Sequence, residues 1–353
     1  MIISRTPFRV SFFGGGTDYD VWYREHGGVI LSTTINHYCY LCCRILPPFF
    51  QHKYRMTWTK IEEVPHYSEL QHPVVRAVLR YLDIQHGLEI YHQGDLPARS
   101  GLGTSSAFTV CLLQALYELR GVIPDKQCLA REAIYVERDL LHEYVGVQDQ
   151  IAVSYGGFNQ IIIKEDGSFH VLPITLAAQR LQELENHLLL FFTGVSRTSS
   201  QIAQAQIEAI PGKTHLMQRM MQITHEAIKI LLSAADLTEF SALLHEAWLL
   251  KRQLSSRISP HFIDEIYAHA MAHGALGGKV LGAGGGGFML FFVRPEDKPK
   301  LCHALKDLLL VPFKFEQQGS EIIFCNNQNE DQNVSQALGH AQSYSNNRLE
   351  RIK

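Results

Sequence analysis

Three glycine-rich segments, placed far apart, constrain the fold of this chain more than any other feature. The first glycine segment is 7–18 (PFRVSFFGGGTD), the second is 101–107 (GLGTSSA) and the third is 282–287 (GAGGGG). Glycine lets the main chain approach a ligand closely and adopt positive φ angles. Clustered amide groups then point at an anion, and a following helix adds its positive end. Together the segments predict a site around a multiply charged ligand, such as a nucleoside triphosphate beside a second phosphate or a sugar.

Length and charge narrow the class of protein. A chain of 353 residues exceeds the usual size of one hydrophobic core, which predicts two domains. The net charge of −3 gives no electrostatic reason to expect a nucleic-acid or membrane partner. We find no long apolar run or secretory signal pattern, and the seven cysteines are scattered as in proteins with reduced thiols. We therefore expect a cytoplasmic monomer or homodimer that acts on a small molecule.

The apolar pattern mixes strands and helices without a regular βαβ rhythm, which indicates an α+β fold. Strands are expected at 1–13, 29–46, 88–91, 151–172 with a turn at 156–157, 188–193 and 288–293. Helices are expected at 71–84, 105–119, 125–142, 199–256 with breaks near 211–212 and 235–236, and 260–273. Thr104, Ser105 and Ser106 are candidates to cap the helix at 105–119, and Asp125 the next one. We place the domain boundary in the polar stretch 179–186. This gives domains at 1–185 and 186–330 and a poorly packed polar tail at 331–353.

Two familiar interpretations of the glycine segments are disfavoured by their expected surroundings. The third segment matches the dinucleotide-binding pattern GxGxxG, which needs a strand before it and a helix after it. Here we expect a helix before it and a strand after it. Gly103–Ala107 is similar to a nucleophile elbow around Ser105, but Pro97 is a poor end for the strand that an elbow requires. On the residues alone, a phosphate loop at a helix N-terminus and a capped structural helix without a ligand both stay open.

In this order, the three segments resemble the GHMP kinases, named for galactokinase, homoserine kinase, mevalonate kinase and phosphomevalonate kinase. The resemblance runs from Pro7 to about Val293, and its middle motif is 97–107 (PARSGLGTSSA), where Thr104 replaces the commoner serine. It implies an N-terminal domain like domain 2 of ribosomal protein S5, a ferredoxin-like C-terminal domain and an active site between them.

Within that family, FGGGTD at 13–18 resembles the sugar-kinase branch that holds heptose 7-phosphate kinases and L-fucokinase. The stretches 146–150 (GVQDQ), 193–197 (TGVSR), 248–251 (WLLK) and 278–288 are similar to the bacterial D-glycero-D-manno-heptose 7-phosphate kinases. The resemblance implies ATP as phosphoryl donor and Mg²⁺ as metal. The ATP-binding residues it implies are Pro97, Gly101, Leu102, Gly103, Thr104, Ser105, Ser106 and Ala107.

Phosphoryl transfer also needs a group that orients the acceptor oxygen and groups that neutralise charge. The resemblance implies Asp149 as the catalytic carboxylate, Arg9 as the cation beside it, and Ser106 with Glu137 as ligands of Mg²⁺. A purely structural role stays open for each of these residues. Asp149 could cap a loop, Arg9 could form a surface ion pair, and Glu137 could belong to a salt-bridged helix face.

The remaining candidates would bind the acceptor. They are Gly15, Gly16, Thr17, Asp18, Asp149, Arg197, Lys251, Lys279, Gly284 and Gly285. Asp18 would accept sugar hydroxyls, unless it only forms an Asx-turn, and the three cations would bind a phosphate already on the substrate. We expect a side chain at Gly285 to collide with the ligand, so that Gly285→Val abolishes turnover in a folded protein.

These residues predict an ATP-dependent sugar kinase. The acceptor that the resemblance favours is O1 of D-glycero-D-manno-heptose 7-phosphate, giving the 1,7-bisphosphate for nucleotide-activated heptose and surface polysaccharide. The alternatives are a kinase of an unphosphorylated sugar such as L-fucose, a non-catalytic sensor of sugar and nucleotide, and a serine hydrolase.

Overall fold

The computed structural model describes residues 1–195 and 199–326. The strands are β1 Ile2–Phe13, β2 Gly28–Ile45, β3 Tyr54–Thr57, β4 Ile61–Val64, β5 Leu88–Gly94, β6 Phe158–Ile163, β7 Phe169–Pro173, β8 Leu188–Phe192, β9 Ala275–Val280, β10 Phe288–Val293, β11 Leu309–Leu310, β12 Phe315–Glu316 and β13 Glu321–Cys325. The helices are α1 Asp20–His26, α2 Pro73–Tyr81, α3 Thr104–Leu119, α4 Lys126–Tyr135, α5 Gln148–Tyr155, α6 Ala178–Asn186, α7 Ser199–Ala209, α8 Thr214–Leu232, α9 Leu237–Arg252, α10 His261–Ala272 and α11 Lys298–Ala304. A π-helical turn, Val136–Leu140, continues α4.

The first sheet has nine strands and is organised by the long antiparallel pair β1 and β2. Its main path is β13-β1-β2-β5-β3-β4, and β2 also pairs with β6 and β12. From Thr6 to Phe13 every residue of β1 is buried, where the strand contacts α3, α5, α8 and α9. Helix α3 is buried on every side from Ser106 to Leu116, as expected of a helix that runs through a core. The sheet thus holds Arg9 in a buried part of β1 that contacts α3.

The second sheet has four antiparallel strands in the order β11-β8-β10-β9. Strand β10 is buried throughout, and α9 packs against β9. That approach is close at Gly277, where a Cβ atom would lie 2.3 Å from the carbonyl oxygen of Ser241. Strands β9 and β10 are joined by the third glycine segment, so this segment is the loop of an antiparallel hairpin.

The chain passes from the first sheet to the second between β7 and β8, and it returns to the first sheet at β12 and β13. The α+β class is therefore confirmed. The boundary between 185 and 186 stays a prediction, and the tail at 331–353 lies outside the described residues. Within the described residues, no helix combines the length and apolar character needed to span a bilayer.

Several expected elements differ from those observed. Residues 148–155 form α5, although 151–172 was expected to be strand, because a short apolar run of this kind fits either structure. Helix α6 covers the whole of the polar stretch 179–186 chosen for the boundary. Strands β3 and β4 were not predicted, whereas the strand expected at 29–46 is confirmed as one continuous strand at 28–45. A strand, β9, precedes the third glycine segment where a helix was expected, but a strand also follows it, so the dinucleotide-binding context is still absent.

Candidate active site

The second glycine segment forms a tight turn into α3. Gly101 and Gly103 have φ angles of 85° and 71°, and Gly103 occupies the N-cap position. The expected hydroxyl cap is wrong, because no side chain caps the helix. Thr104 Oγ1 instead accepts from the amide of Arg99 over 3.1 Å. The first-turn amides of α3 therefore have no side-chain acceptor, and an anion placed there would satisfy them.

Two buried residues attach this loop to the hydrophobic core. Leu102 is fully buried, and its carbonyl oxygen accepts from the amide of Arg9 over 3.0 Å. Ala107 is also fully buried, in the first full turn of α3. Ser105 is exposed at the helix start, whereas Pro97 lies in the turn after β5. Of the residues implied for ATP, Leu102 and Ala107 thus shape the loop through the core.

Arg9 and Asp149 form a bidentate ion pair directly beside this loop. Arg9 Nε lies 2.8 Å from Asp149 Oδ1 and Nη2 lies 2.8 Å from Oδ2, while Nη1 donates to Gly101 O over 2.5 Å. The Arg9 side chain is 2% exposed and that of Asp149 is 27% exposed. Asp149 is the second residue of α5. The expectation that it lies in a loop is therefore wrong. The pair fixes the plane of the carboxylate and leaves one side of it open to solvent.

Ser106, in the first turn of α3, contacts Glu137. Ser106 Oγ donates to Glu137 Oε2 over 3.0 Å, and Gln150 Nε2 donates to the same oxygen over 2.6 Å. Glu137 is fully buried, and its Oε1 has no hydrogen-bond partner. The neighbouring Thr109 hydroxyl donates to the carbonyl of Ser105. Burial raises the pKa of Glu137 to about 8, although the nearby Thr109 hydroxyl and the donors Gln150 and Ser106 oppose this.

These oxygens fit a magnesium ion. A hard cation prefers oxygen ligands, and Mg²⁺ is usually held by one or two carboxylates together with substrate phosphates. Glu137 Oε1 is a buried acceptor that such a cation would satisfy. In the described part of the chain, no group of three or more His, Cys, Asp or Glu could hold a metal by itself.

Asp18 lies at the end of the first glycine segment, close to the start of α5. It is 2% exposed, its Oδ1 accepts from Gly16 N over 2.9 Å, and its Oδ2 accepts from Gln148 N over 3.4 Å. Burial raises the pKa of Asp18, and the nearby Asp149 adds to this. A Cβ atom at Gly146 would lie 1.7 Å from Asp18 Oδ2, so GVQDQ needs its glycine. The bond from Gly16 comes from a residue before Asp18, so it is not the Asx-turn that was the alternative, which uses an amide two residues after the aspartate.

The Thr17 hydroxyl is bonded to main-chain groups of the protein. Thr17 is fully buried, its hydroxyl donates to Gly14 O over 2.8 Å, and it accepts from Val29 N over 3.1 Å. These bonds fasten the glycine turn to β2, so the structure contradicts a direct role for Thr17 in sugar binding. A Cβ atom at Gly15 would be 3.7 Å from Lys251 Nζ, whereas one at Gly16 would meet only Met217.

The three cations expected to bind phosphate have different surroundings. Lys251 on α9 is buried, its Nζ donates to Gly282 O over 2.7 Å, and burial lowers its pKa to about 8 although Asp18 opposes this. Lys279 on β9 is also buried, and its Nζ donates to Ser11 O and Phe12 O over 2.8 and 2.9 Å. Arg197 lies outside the described residues.

Lys279 therefore ties β9 to β1. The register between β1 and β2 shifts between Ser11 and Phe13. Such a bulge locally disrupts the sheet ladder, and Lys279 supplies donors to carbonyl groups at this point. Burial lowers the pKa of Lys279 well below its usual value, with Lys251 and Arg9 adding to the effect. The geometry contradicts the expectation that Lys279 binds a substrate phosphate.

The third glycine segment packs against protein. A Cβ atom at Gly282 would lie 2.6 Å from the Cα of Gly101, and one at Gly284 would lie 2.7 Å from Ile258 O. A Cβ atom at Gly285 would lie 2.3 Å from Ile202 Cδ1, and its φ of 77° is unfavourable for other residues. A side chain at Gly285 was expected to collide with the ligand. That expectation is wrong for its nearest contact, which is with Ile202 of the protein. Gly285→Val would strain the fold as well as the site.

Gln150 is the residue of this site that sequence reasoning missed. It follows Asp149 directly and contacts Glu137. Its only signal in the sequence is its place in GVQDQ, which does not show that the side chain is buried against a carboxylate.

Comparison with known proteins agrees with this architecture. Residues 70–157 match the family described as GHMP kinases N terminal domain, and residues 227–309 match GHMP kinases C terminal. A D-glycero-alpha-D-manno-heptose 7-phosphate kinase of Campylobacter jejuni is 28% identical over 86% of this chain and 93% of its own length. A bifunctional fucokinase/GDP-fucose pyrophosphorylase of Arabidopsis thaliana is 25% identical over 83% of this chain and 30% of its own.

Solved structures give the same result. A D-glycero-D-manno-heptose 1-phosphate kinase from Bacteroides thetaiotaomicron superposes with a TM-score of 0.77 at 26% identity, over 93% of this chain and 100% of that one. A putative sugar kinase from Campylobacter jejuni gives a TM-score of 0.72 at 26% identity, over 91% of this chain and 97% of that one.

Proposed function

This chain belongs to the GHMP kinases and is a sugar kinase, and we propose that it transfers the γ-phosphoryl group of ATP to O1 of D-glycero-D-manno-heptose 7-phosphate. The observation that carries the proposal is the position of Asp149. Its Cγ lies 3.6 Å from where a Cβ atom of Gly103 would be, and the preceding residue bonds Asp18. Asp149 thus lies between the loop assigned to ATP and the carboxylate assigned to the sugar.

The donor half of the reaction uses the start of α3. Phosphoryl transfer depends on positioning and on neutralising charge, with little covalent work for the protein. The free amides of α3 and the positive end of its dipole would hold phosphate oxygens. Ser106 and Glu137 would hold Mg²⁺, which neutralises charge on the β- and γ-phosphates when bound.

The acceptor half uses Asp149 and Arg9. Asp149 accepts a hydrogen bond from the attacking hydroxyl, orients it and takes its proton as the new P–O bond forms, while the bond from the γ-phosphorus to the β–γ bridging oxygen breaks and ADP leaves. The Arg9 guanidinium is always charged, so it cannot act as an acid, but it fixes the carboxylate on both oxygens. Asp18 would accept hydroxyls of the sugar. Lys251 would attract a phosphate group already on it, together with Arg197.

A kinase of an unphosphorylated sugar such as L-fucose is the second candidate. One observation favours it: Lys279, one of three cations assigned to a substrate phosphate, is instead occupied by main-chain carbonyls. The likeness to the plant fucokinase fits this alternative too. Substrate selectivity therefore separates the two candidates.

The test is a substrate panel with ATP and Mg²⁺, followed by ADP release. The panel contains D-glycero-D-manno-heptose 7-phosphate, the free heptose, sedoheptulose 7-phosphate, mannose and L-fucose. We expect the first to give the highest kcat/KM, with one reducing end lost per ADP, because phosphorylation at O1 removes the reducing end. Highest kcat/KM on L-fucose would select the second candidate. ADP release without loss of reducing ends would contradict transfer to O1.

A further inference from the structure

Gln150 is a buried side chain that the proposed mechanism does not use. It is fully buried in the first turn of α5, and its Nε2 donates to Glu137 Oε2 over 2.6 Å. Its own Oε1 is buried without a hydrogen-bond partner. An amide in the core is unfavourable unless its polar atoms are paired. The one bond that it makes, to Glu137, therefore calls for a functional reason.

The chemistry of the neighbour fixes the orientation of this amide. A carboxylate that ligates a cation is ionised and offers only acceptors, so in that state the reverse orientation of the amide would place two oxygens 2.6 Å apart. Nε2 therefore faces Glu137. Ser106 Oγ donates to the same carboxylate oxygen over 3.0 Å. Two donors on Oε2 fix the plane of the Glu137 carboxylate and leave Oε1 without a partner.

We propose that Gln150 is a positioning residue, which holds Glu137 by Oε2 so that Oε1 faces the cation. The inference rests on the proposed function, because it takes Glu137 and Ser106 as ligands of Mg²⁺. Groups that hydrogen-bond a ligating carboxylate orient it, and their loss lowers metal affinity by about 10–100-fold. Since Gln150 follows Asp149, one turn of α5 places both the group that faces the acceptor and the group that orients the metal ligand.

The experiment measures the coupling between Mg²⁺ and ADP binding, which requires no turnover. Calorimetry gives the Kd of ADP in EDTA and in saturating Mg²⁺, and the ratio of the two is the coupling. Gln150→Leu removes the amide at similar volume, and Gln150→Met is a second variant with an unbranched chain. Glu137→Gln is the reference for a lost ligand.

Ser154→Ala is the matched control. Ser154 lies one turn further along α5, is fully buried and has a hydroxyl without a hydrogen-bond partner. This variant therefore changes the same helix without touching the bond to Glu137. Urea unfolding of each variant reports whether the helix remains packed.

In both Gln150 variants we expect the coupling ratio to fall about tenfold or more, with the Kd of ADP in EDTA unchanged. The Mg²⁺ concentration for half-maximal turnover should rise by the same factor, and Ser154→Ala should match the wild type. A wild-type ratio in both Gln150 variants would overturn the inference. So would an equal fall in Ser154→Ala, which would indicate general loosening of α5. A wild type without coupling would overturn the proposed function and the inference together.

Discussion

Replacing Asp149 should damage both turnover and stability, and a second substitution should separate the two effects. In Asp149→Asn the Arg9 guanidinium, with its side chain 2% exposed, loses its counter-charge. Removing one partner of a buried ion pair costs about 3–5 kcal/mol. We expect about 3 kcal/mol, because the asparagine oxygen still accepts one hydrogen bond and water reaches this side of the pair.

The double variant Arg9→Met/Asp149→Asn removes both charges. Replacing a whole buried pair by uncharged groups is often neutral in stability. Here the carbonyl oxygen of Gly101 also loses its bond from Arg9 Nη1, at a cost of about 1 kcal/mol. The double variant should therefore be about 2 kcal/mol more stable than Asp149→Asn and about 1 kcal/mol less stable than the wild type.

Turnover should follow a different order. Both variants lack the proposed base, so kcat should fall about 10²–10⁴-fold in each, while ATP binding persists. Urea unfolding followed by circular dichroism gives the stabilities, and ADP release gives the rates. Equal unfolding midpoints for the wild type and Asp149→Asn would refute the argument from the buried pair. Recovery of turnover in the double variant would refute the role of Asp149 as base.

Four further predictions test other parts of the site. Lys251→Met should raise KM for the sugar 7-phosphate about tenfold or more and leave KM for the unphosphorylated sugar unchanged, both read by ADP release; an equal rise for both sugars would argue against a phosphate contact. Because burial lowers the pKa of Lys251 to about 8, its charge is complete below that pH and lost above it. The wild-type KM for the sugar phosphate should therefore rise as pH increases from about 8 to 9.5, and that dependence should vanish in Lys251→Met. Gly101→Ala should lower Tm and raise KM for ATP, because its Cβ would lie 2.3 Å from Leu281 O at a φ of 85°; an unchanged Tm would contradict this packing. Lys279→Met should lose about 2 kcal/mol of unfolding free energy with KM for the sugar phosphate within about twofold; a large KM change would restore the phosphate role of Lys279.

Local pattern predicted much of the fold but little about its turns. The start of α3 agrees with the predicted helix to within one residue, because its apolar run is long. The cap was wrong because Gly103 in the left-handed region takes the N-cap position and leaves the hydroxyls free for other partners. Asp125 does cap α4, where the chain has an ordinary extended N-cap. Pattern therefore locates a helix better than it locates the bonds at its end.

The site residues were harder to predict from the sequence, because their partners are distant along the chain. Arg9 and Asp149 are separated by 140 positions, and only the family resemblance brought them together. Lys279 was misassigned since nothing in the sequence shows that β1 shifts its register at Phe12. Gln150 was missed for the same reason, as its burial against Glu137 depends on where α5 packs.

The glycine segments show why a glycine-rich stretch alone does not identify a ligand contact. Gly101 and Gly282 lie back to back, and Phe288 N donates to Ser100 O over 3.1 Å, so the second and third segments form one contact between the two sheets. Glycine is required there because protein main chain approaches protein main chain. On its other side, Gly101 O accepts from Arg9. The loop assigned to ATP is thus fixed on both sides by contacts within the protein, and a rigid loop loses little conformational entropy on binding. If that loop binds ATP as proposed, the third segment would contribute by holding it, even though the nearest atoms to its glycines are those of the protein.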